Sequence, residues 1–222
     1  MVVSHKGSNR ATKLFYDLHA PVGEEAALQQ KARTLLEGIP HLSVPAIHNI
    51  QQLPTEFQGS RDLCGIEMDR VPIPEGFQHS VHMLLGYGQD DIDTVWSKDY
   101  RNPVGPNNPP RGFFAGPEML EAIWADEGST MTIERVAAIM GTALAKLIAG
   151  GIIPLDLEWL YAGDDQLYLI DFGLCEFGST NPHNFLHMPS SRGIYADYYA
   201  PKPDCCGYTE FLGGWNSIIP VH

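Results

Sequence analysis

The chain has 222 residues, of which 44% are hydrophobic, and a formal net charge of −13. This length fits one domain or a two-lobed one, and this hydrophobic content supports a real core and argues against disorder. The 14 lysine and arginine residues do not cluster, which argues against nucleic acid or an anionic membrane as the main partner. No apolar run approaches about 18 residues and the start lacks a signal-peptide pattern, so we expect no membrane span and a cytoplasmic protein.

The N-terminal part of the chain predicts short strands around one helix. Residues 1–10 predict a loose tail. The helix is expected at 24–37, because acidic residues fill its first turn, apolar residues recur at helical spacing and Gly38 follows it. Strands are expected at 11–16, 44–50 and 62–71.

The C-terminal part predicts helices followed by two adjacent strands. The longest and most apolar helix is expected at 132–149, with Thr130 or Thr132 as its N-cap and Gly150 at its end. A shorter helix is expected at 118–126, and residues 79–85 fit a short helix and a short strand equally well. The two strands are expected at 158–162 and 166–170, joined by a Gly-Asp-Asp turn.

A proline-rich stretch at 102–117 is predicted to be irregular. Loops of this length in compact domains are usually functional lids or mobile segments. Phe113 and Phe114 within it have two equally good interpretations: they line a ligand pocket, or they anchor the loop on the core. The pattern as a whole predicts an α+β protein with an N-terminal lobe at 11–74 and a mostly helical C-terminal lobe at 75–222, joined by the VPIPEG hinge.

Three carboxylates are expected to meet at one end of the two C-terminal strands. Asp156 and Glu158 stand at the start of the first strand, and an extended Asp-Leu-Glu directs both carboxylates to one side. Asp171 directly follows the second strand. These groups repel one another unless a cation, a proton or Lys13 lies between them, so we expect one of them to act as an acid or base.

Each of these residues also has a purely structural interpretation. Lys13 is then an exposed strand lysine and Glu158 a solvated residue at a strand edge. Asp156 then caps the turn before its strand, and Asp171 forms an Asx-turn before Gly173.

The order of these features resembles the protein-kinase-like superfamily, especially its small-molecule (aminoglycoside) phosphotransferase branch. Lys13 in ATKLF resembles the strand lysine that pairs the nucleotide phosphates, and Glu25 (or Glu24) resembles its ion-pair partner. Asp171, in Asp-Phe-Gly, resembles the metal-binding aspartate of that family. The chain is also similar to short fungal kinase-like families that share a D-[VIL]-E-[FW]-[VL]-L stretch.

The resemblance implies a two-lobed kinase-like fold over about residues 11–180. Glu67 and Met68, before VPIPEG, resemble the strand and hinge that hold adenine, and the long helix resembles the one before the catalytic loop. The ligands implied by this resemblance are Mg and ATP, with Asp171 as the Mg ligand.

Two departures from the family pattern are expected. Only 12 residues precede Lys13, with Gly7 as their one glycine, so the N-terminal lobe is predicted to be reduced and to lack the Gly-rich loop. The catalytic loop is also altered, and two alignments compete. One places Asp156 on the family's base with a shortened loop, and the other places Glu158 on the family's asparagine and Ile153 where the base belongs.

Because of these departures, the sequence favours a repurposed kinase-like enzyme. It would bind a small organic molecule in the cleft without a required cofactor, and Asp156, Glu158, Asp171 or a cleft histidine would catalyse isomerisation, elimination or cyclisation. One alternative is an Mg-ATP-dependent small-molecule phosphotransferase. The other is a non-catalytic pseudokinase with a protein partner and an apolar surface patch around Phe113, Phe114 and Trp124.

The four cysteines fit no zinc motif. A metal site built from His183, His187, Cys205 and Cys206 is conceivable, but reduced thiols and surface histidines are the favoured interpretation.

Overall fold

The computed structural model describes most of the chain. The described residues are 2–4, 7–15, 22–52, 64–72, 81–88, 92, 113–155, 157–181 and 201–220. Among them are four helices and eleven short strands, so the α+β class is confirmed. The strands are β1 (Val2–Ser4), β2 (Arg10–Phe15), β3 (Leu42–Ser43), β4 (Ile47–Gln52), β5 (Cys64–Asp69), β6 (Val81–Met83), β7 (Phe113–Ala115), β8 (Ile152–Ile153), β9 (Glu158–Tyr161), β10 (Leu167–Ile170) and β11 (Glu176–Phe177).

The N-terminal sheet has the order β1-β2-β5-β4, with antiparallel pairing between all neighbours. Val2 to Ser4 were predicted as part of a tail, and that prediction is wrong, because they pair with Lys13 to Ala11 of β2. Val2 and Val3 are β-branched and favour extended backbone, and the edge of β2 offers them hydrogen-bond partners. The expected strands β2, β4 and β5 are present, with bounds shifted by a few residues.

Helix α1 (Val22–Leu36) lies on the N-terminal sheet, where a helix was predicted. Val22 and Ala26 on its first turns form a small apolar cluster with Ile66 and Met68 of β5. Gln29, one turn further along, is buried and donates a hydrogen bond of 2.8 Å to the backbone oxygen of Pro45. This packing fixes the rotation of α1 against the sheet.

The second sheet has the order β3-β10-β9-β6-β7. The two strands β9 and β10, predicted from the sequence, are central and antiparallel. Within the segment 79–85, which fitted a helix and a strand equally well, residues 81–83 form strand β6. Residues 113–115, predicted to be irregular, instead form β7, which is parallel to β6. Leu42 and Ser43, within the predicted N-terminal lobe, pair with β10 in this sheet.

Three further helices complete the described fold. The long helix α3 (Ile133–Ala149) is held at its start by Thr132, whose hydroxyl accepts a 3.2 Å hydrogen bond from the backbone N–H of Arg135. Its apolar residues form the centre of the largest buried cluster. No helix in the described ranges is long and apolar enough to cross a membrane. The three helices are α2 (Pro117–Glu127), α3 (Ile133–Ala149) and α4 (Tyr208–Asn216).

Candidate functional site

A lysine and two carboxylates from three separate elements meet beside the two sheets. The Nζ atom of Lys13, on β2, lies 2.6 Å from Oε1 of Glu25 on α1. The same atom lies 2.7 Å from Oδ1 of Asp171, which follows β10. The ion pair that the resemblance implied for Lys13 and Glu25 is therefore present, and Glu24 is not the partner. We call these three side chains the lysine cluster.

Local structure explains how each member of the cluster is aimed. Residues of β2 alternate between the faces of the sheet, and Lys13 pairs with Ile66, which faces α1. Glu25 lies on the first turn of α1 and is only 4% exposed. Asp171 has left-handed backbone (φ 59°), which turns the chain away from β10 immediately after the strand.

Asp171 combines a structural role with its contact to Lys13. Its Oδ1 accepts a 3.3 Å hydrogen bond from the backbone N–H of Gly173, which is the Asx-turn considered as a structural interpretation. The same oxygen contacts Lys13. The turn and the ion pair therefore coexist and hold the carboxylate in one orientation, with 41% of the side chain exposed.

Burial and charge shift the proton affinities within the lysine cluster. Burial alone would lower the pKa of the Lys13 ammonium, but the charges and hydrogen bonds of Asp171 and Glu25 outweigh it and raise that pKa. Burial raises the pKa of the Glu25 carboxyl, and the contact with Lys13 offsets this only in part. Lys13 thus stays protonated at neutral pH, and its contact favours the ionised form of Glu25.

A histidine that the sequence analysis did not single out lies near the cluster. Nδ1 of His82 is 3.5 Å from Oε2 of Glu158. Burial lowers the pKa of His82 to about 4, although the charge of nearby Asp171 acts in the opposite direction. Its ring also stacks at a tilt on Phe114, with centroids 4.8 Å apart. The imidazole is therefore neutral at physiological pH and lies between an aromatic ring and a carboxylate.

The pairing of β7, β6 and β9 accounts for this arrangement. His82 is opposite Phe114 in the parallel β6–β7 pair and opposite Leu160 in the antiparallel β6–β9 pair. Glu158 is two residues from Leu160 and so shares its face of the sheet. The opposite face carries buried residues such as Val81 and belongs to the core.

His82 was detectable in principle from a local alternation of residue types. Val81 and Met83 are buried, and His82 between them is directed to the other face. The apolar Leu84 and Leu85 follow at once and obscure the two-residue period. This is why the segment fitted a helix and a strand equally well.

Two predicted adenine-binding residues are not part of the cluster. Glu67 is opposite Thr12 in the β2–β5 pair, on the face away from Lys13, and its carboxylate lies 4.0 Å from Arg10. Met68 is buried in the apolar cluster under α1. In the structure, Glu67 therefore lies near Arg10 and Met68 packs against α1, both on the N-terminal sheet.

The remaining predicted residues have three different outcomes. Phe114 is half-buried against His82, so it lies beside the candidate site. Four predicted side chains lie outside the described part of the structure: those of Phe113, Asp156, His183 and His187.

Trp124 was expected in an exposed apolar patch. It is instead buried in the core, because α2 places it edge-on against Tyr161.

The cysteines do not assemble a metal centre in the described part of the chain. Cys205 is half-buried, and exposed Cys206 has its Sγ 3.2 Å from a carboxylate oxygen of Glu134. Within the described ranges no three histidine, cysteine or acidic side chains cluster closely enough to hold a metal ion.

Cavities flank α1 on two sides. One of about 440 Å³ lies between α1 and residues 172–177, and Glu25 is part of its wall. A larger one, about 750 Å³, lies behind the C-terminal half of α1 and includes no member of the lysine cluster. The smaller cavity is therefore the one that adjoins the candidate site.

Fold and site together define an α+β protein with a partly buried lysine held between two carboxylates, beside a neutral histidine. Searches against protein-family models and against curated proteins find no match to this chain.

Proposed function

We propose that this chain has a reduced, two-lobed protein-kinase-like fold and that it transfers phosphate from Mg-ATP to a small molecule. The observation that carries the proposal is the contact of one ammonium, on Lys13, with both Glu25 and Asp171. In protein kinases a strand lysine pairs with a helix glutamate close to the Mg-binding aspartate. The same three residue types occupy comparable elements in this chain.

The charge of the lysine cluster favours a nucleotide that carries its metal ion. The lysine cluster sets two acidic side chains against a single ammonium, and Glu158 adds a third acidic side chain nearby. Free ATP, which is strongly anionic, is repelled by such a site. The Mg-ATP complex carries less negative charge, and its cation is attracted to Asp171.

The exposed part of Asp171 fits a role as Mg ligand. In nucleotide sites Mg²⁺ takes only one or two carboxylates from the protein and completes its shell with phosphate and water oxygens. Asp171 supplies one such carboxylate, with 41% of its side chain open to solvent. The bound ion would supply charge neutralisation at the phosphates, while Lys13, fixed by Glu25, would contact a phosphate oxygen.

Non-phosphoryl acid/base chemistry on a small organic molecule is the second candidate function. The observation in its favour is the neutral imidazole of His82 beside Glu158. A neutral imidazole accepts a proton, and a carboxylate next to it stabilises the imidazolium that forms. Isomerisation or elimination needs no metal or nucleotide, so the two functions differ in their requirement for Mg-ATP.

The proposal is tested by Mg-ATP turnover with water as the acceptor, followed as ADP release. Asp171→Asn is expected to lower the rate by about 100-fold or more, because a metal ligand is lost. Asp126→Asn, an exposed aspartate on α2, is the matched control and should keep the wild-type rate. Turnover that survives Asp171→Asn would contradict the phosphotransferase assignment.

A further inference from the structure

One ring nitrogen of His82 is buried without a hydrogen-bond partner among the described residues. Nδ1 is inaccessible to solvent and has no hydrogen-bond partner within the described residues. Oε2 of Glu158 lies 3.5 Å away, at the far limit of hydrogen-bond distance, and makes no hydrogen bond with Nδ1. An unpaired buried polar group of this kind costs free energy. Packing alone therefore does not explain why a histidine occupies this position.

The imidazole is nevertheless open on another side. The side chain of His82 is 16% exposed while its Nδ1 is buried, so the exposed surface belongs to the other ring atoms. Phe114 covers the ring from β7, and Glu158 faces Nδ1 from β9. Nε2, the other ring nitrogen, is therefore the one available to a ligand.

We infer that His82 is the general base that accepts the proton of the phosphate acceptor, with Glu158 as the residue that positions its imidazole. This inference rests on the proposed phosphotransferase function and assigns a residue to its acceptor side. The family's catalytic-loop base is compromised in both alignments of 153–158, and His82 reaches the site from a different strand, β6.

The proton and the electron pairs balance in this step. The hydroxyl of the acceptor gives its proton to Nε2 of His82, and the oxygen forms a bond to the γ-phosphorus of ATP. The bond between that phosphorus and the bridging oxygen breaks, and ADP leaves with the electron pair. The negative charge of Glu158 stabilises the imidazolium that forms. The imidazolium then gives its proton to water.

The basicity of His82 suits this role. A pKa of about 4 is close to the ordinary value of an aspartate, about 3.9. An aspartate is the residue that accepts the substrate proton in protein kinases. His82 in this environment therefore matches the proton affinity of the group it would replace, and it is unprotonated at neutral pH.

The test combines Mg-ATP binding, read as a shift in melting temperature, with ADP release in the presence of water as acceptor. His82→Gln is expected to keep the binding shift and to lose about 100-fold or more in rate. Free imidazole should restore part of the rate to His82→Ala, a rescue that a merely structural residue would not show. His48→Gln, at an exposed histidine that pairs with Asp69, is the matched control.

Because His82 is largely buried, Glu158→Gln provides a second variant at a more exposed position, 40% accessible. It should lower the rate less than His82→Gln does and leave binding unchanged. Unchanged turnover in both variants would overturn the role of His82 while the phosphotransferase proposal stands. Mg-ATP binding without any turnover by the wild type would also overturn it. Absence of Mg-ATP binding would overturn the proposed function itself.

Discussion

The ammonium of Lys13 and the carboxylate of Asp171 are 2.7 Å apart, although 158 residues separate them along the chain. The contact joins the N-terminal sheet to the end of β10. Because Glu25 binds the same ammonium, α1 is tied to both sheets through one side chain. A displacement of α1 would therefore disturb the contact between Glu25 and Lys13.

Removing the ammonium should destabilise the fold. Lys13→Met leaves Glu25 as a buried carboxylate without its counter-charge, which costs about 2–4 kcal/mol in the free energy of unfolding. This range allows for the partial exposure of Asp171. The measurement is urea denaturation at pH 7.5, with Lys146→Met on α3 as a control that should cost less than about 1 kcal/mol.

A second substitution and a change of pH test whether the loss of stability in Lys13→Met comes from the unpaired charge of Glu25. The double variant Lys13→Met with Glu25→Gln should recover part of the loss, because the unpaired charge is gone. Acid should also reduce the penalty of Lys13→Met. Burial raises the pKa of Glu25 in the folded protein and Lys13 counteracts that rise, so without Lys13 the folded state binds the proton still more tightly and the variant gains more stability than the wild type as pH falls. A penalty that is the same at pH 5 and pH 8 would contradict this explanation.

The low pKa of His82 predicts a specific dependence of stability on pH. The unfolded chain has the ordinary value of about 6.5 and the folded chain about 4, so only the unfolded state takes the proton between these values. The stability contributed by neutral His82 is complete above pH 6.5 and is lost as pH falls toward 4. The full loss is about 3 kcal/mol.

His82→Gln removes this titration but leaves Glu158 and Asp171 in place. The free energy of unfolding of the wild type, relative to the variant, should therefore fall by about 2 kcal/mol between pH 7.5 and pH 4.5. Denaturation of both proteins at each pH measures that difference. Two parallel stability curves would show that His82 is not held neutral in the folded state.

The packing of α3 on α4 predicts a contrast between neighbouring glycines. A Cβ on Gly141 would lie 2.0 Å from the backbone oxygen of Phe211, and one on Gly214 would lie 2.2 Å from that of Ala138. Alanine at either position should destabilise the protein by about 2–4 kcal/mol, because backbone must move.

Gly213 is the matched control for this contrast. A Cβ there meets nothing within 4 Å, so Gly213→Ala should stabilise the protein by about 0.5–1 kcal/mol through helix propensity. Thermal denaturation of the three variants tests the order. If Gly213→Ala and Gly214→Ala had equal effects, the described contact between α3 and α4 would be wrong.

The regular elements were largely predictable because their signals are local. The acidic first turn of α1, the Thr132 cap of α3 and the Gly-Asp-Asp turn between β9 and β10 each lie within one short window of sequence. Strand β1 was missed because only pairing with β2 stabilises three residues in extended conformation. β7 was missed because the nearby prolines obscured a strand that depends on its pairing with β6.

The candidate site was predictable only in part. Lys13, Glu25 and Asp171 were found through a resemblance that specifies all three at once. His82 was not, because its neighbours Glu158 and Phe114 come from other strands and become adjacent only when the sheet forms. Glu67 was predicted to hold adenine, and the sequence alone could not show that it lies on the face away from Lys13, because that face depends on the register of β5 with β2.

The measurement that tests the central claim most directly is the melting temperature of the wild type and of Lys13→Ala with Mg-ATP, ATP alone and Mg²⁺ alone. At about 100 times Kd, a ligand adds roughly 2.7 kcal/mol of stability, which for a chain of this size is a rise of about 5 °C or more. We predict that rise for the wild type with Mg-ATP only, and none for Lys13→Ala. An unchanged melting temperature with Mg-ATP, or an equal rise in Lys13→Ala, would contradict the proposed nucleotide site.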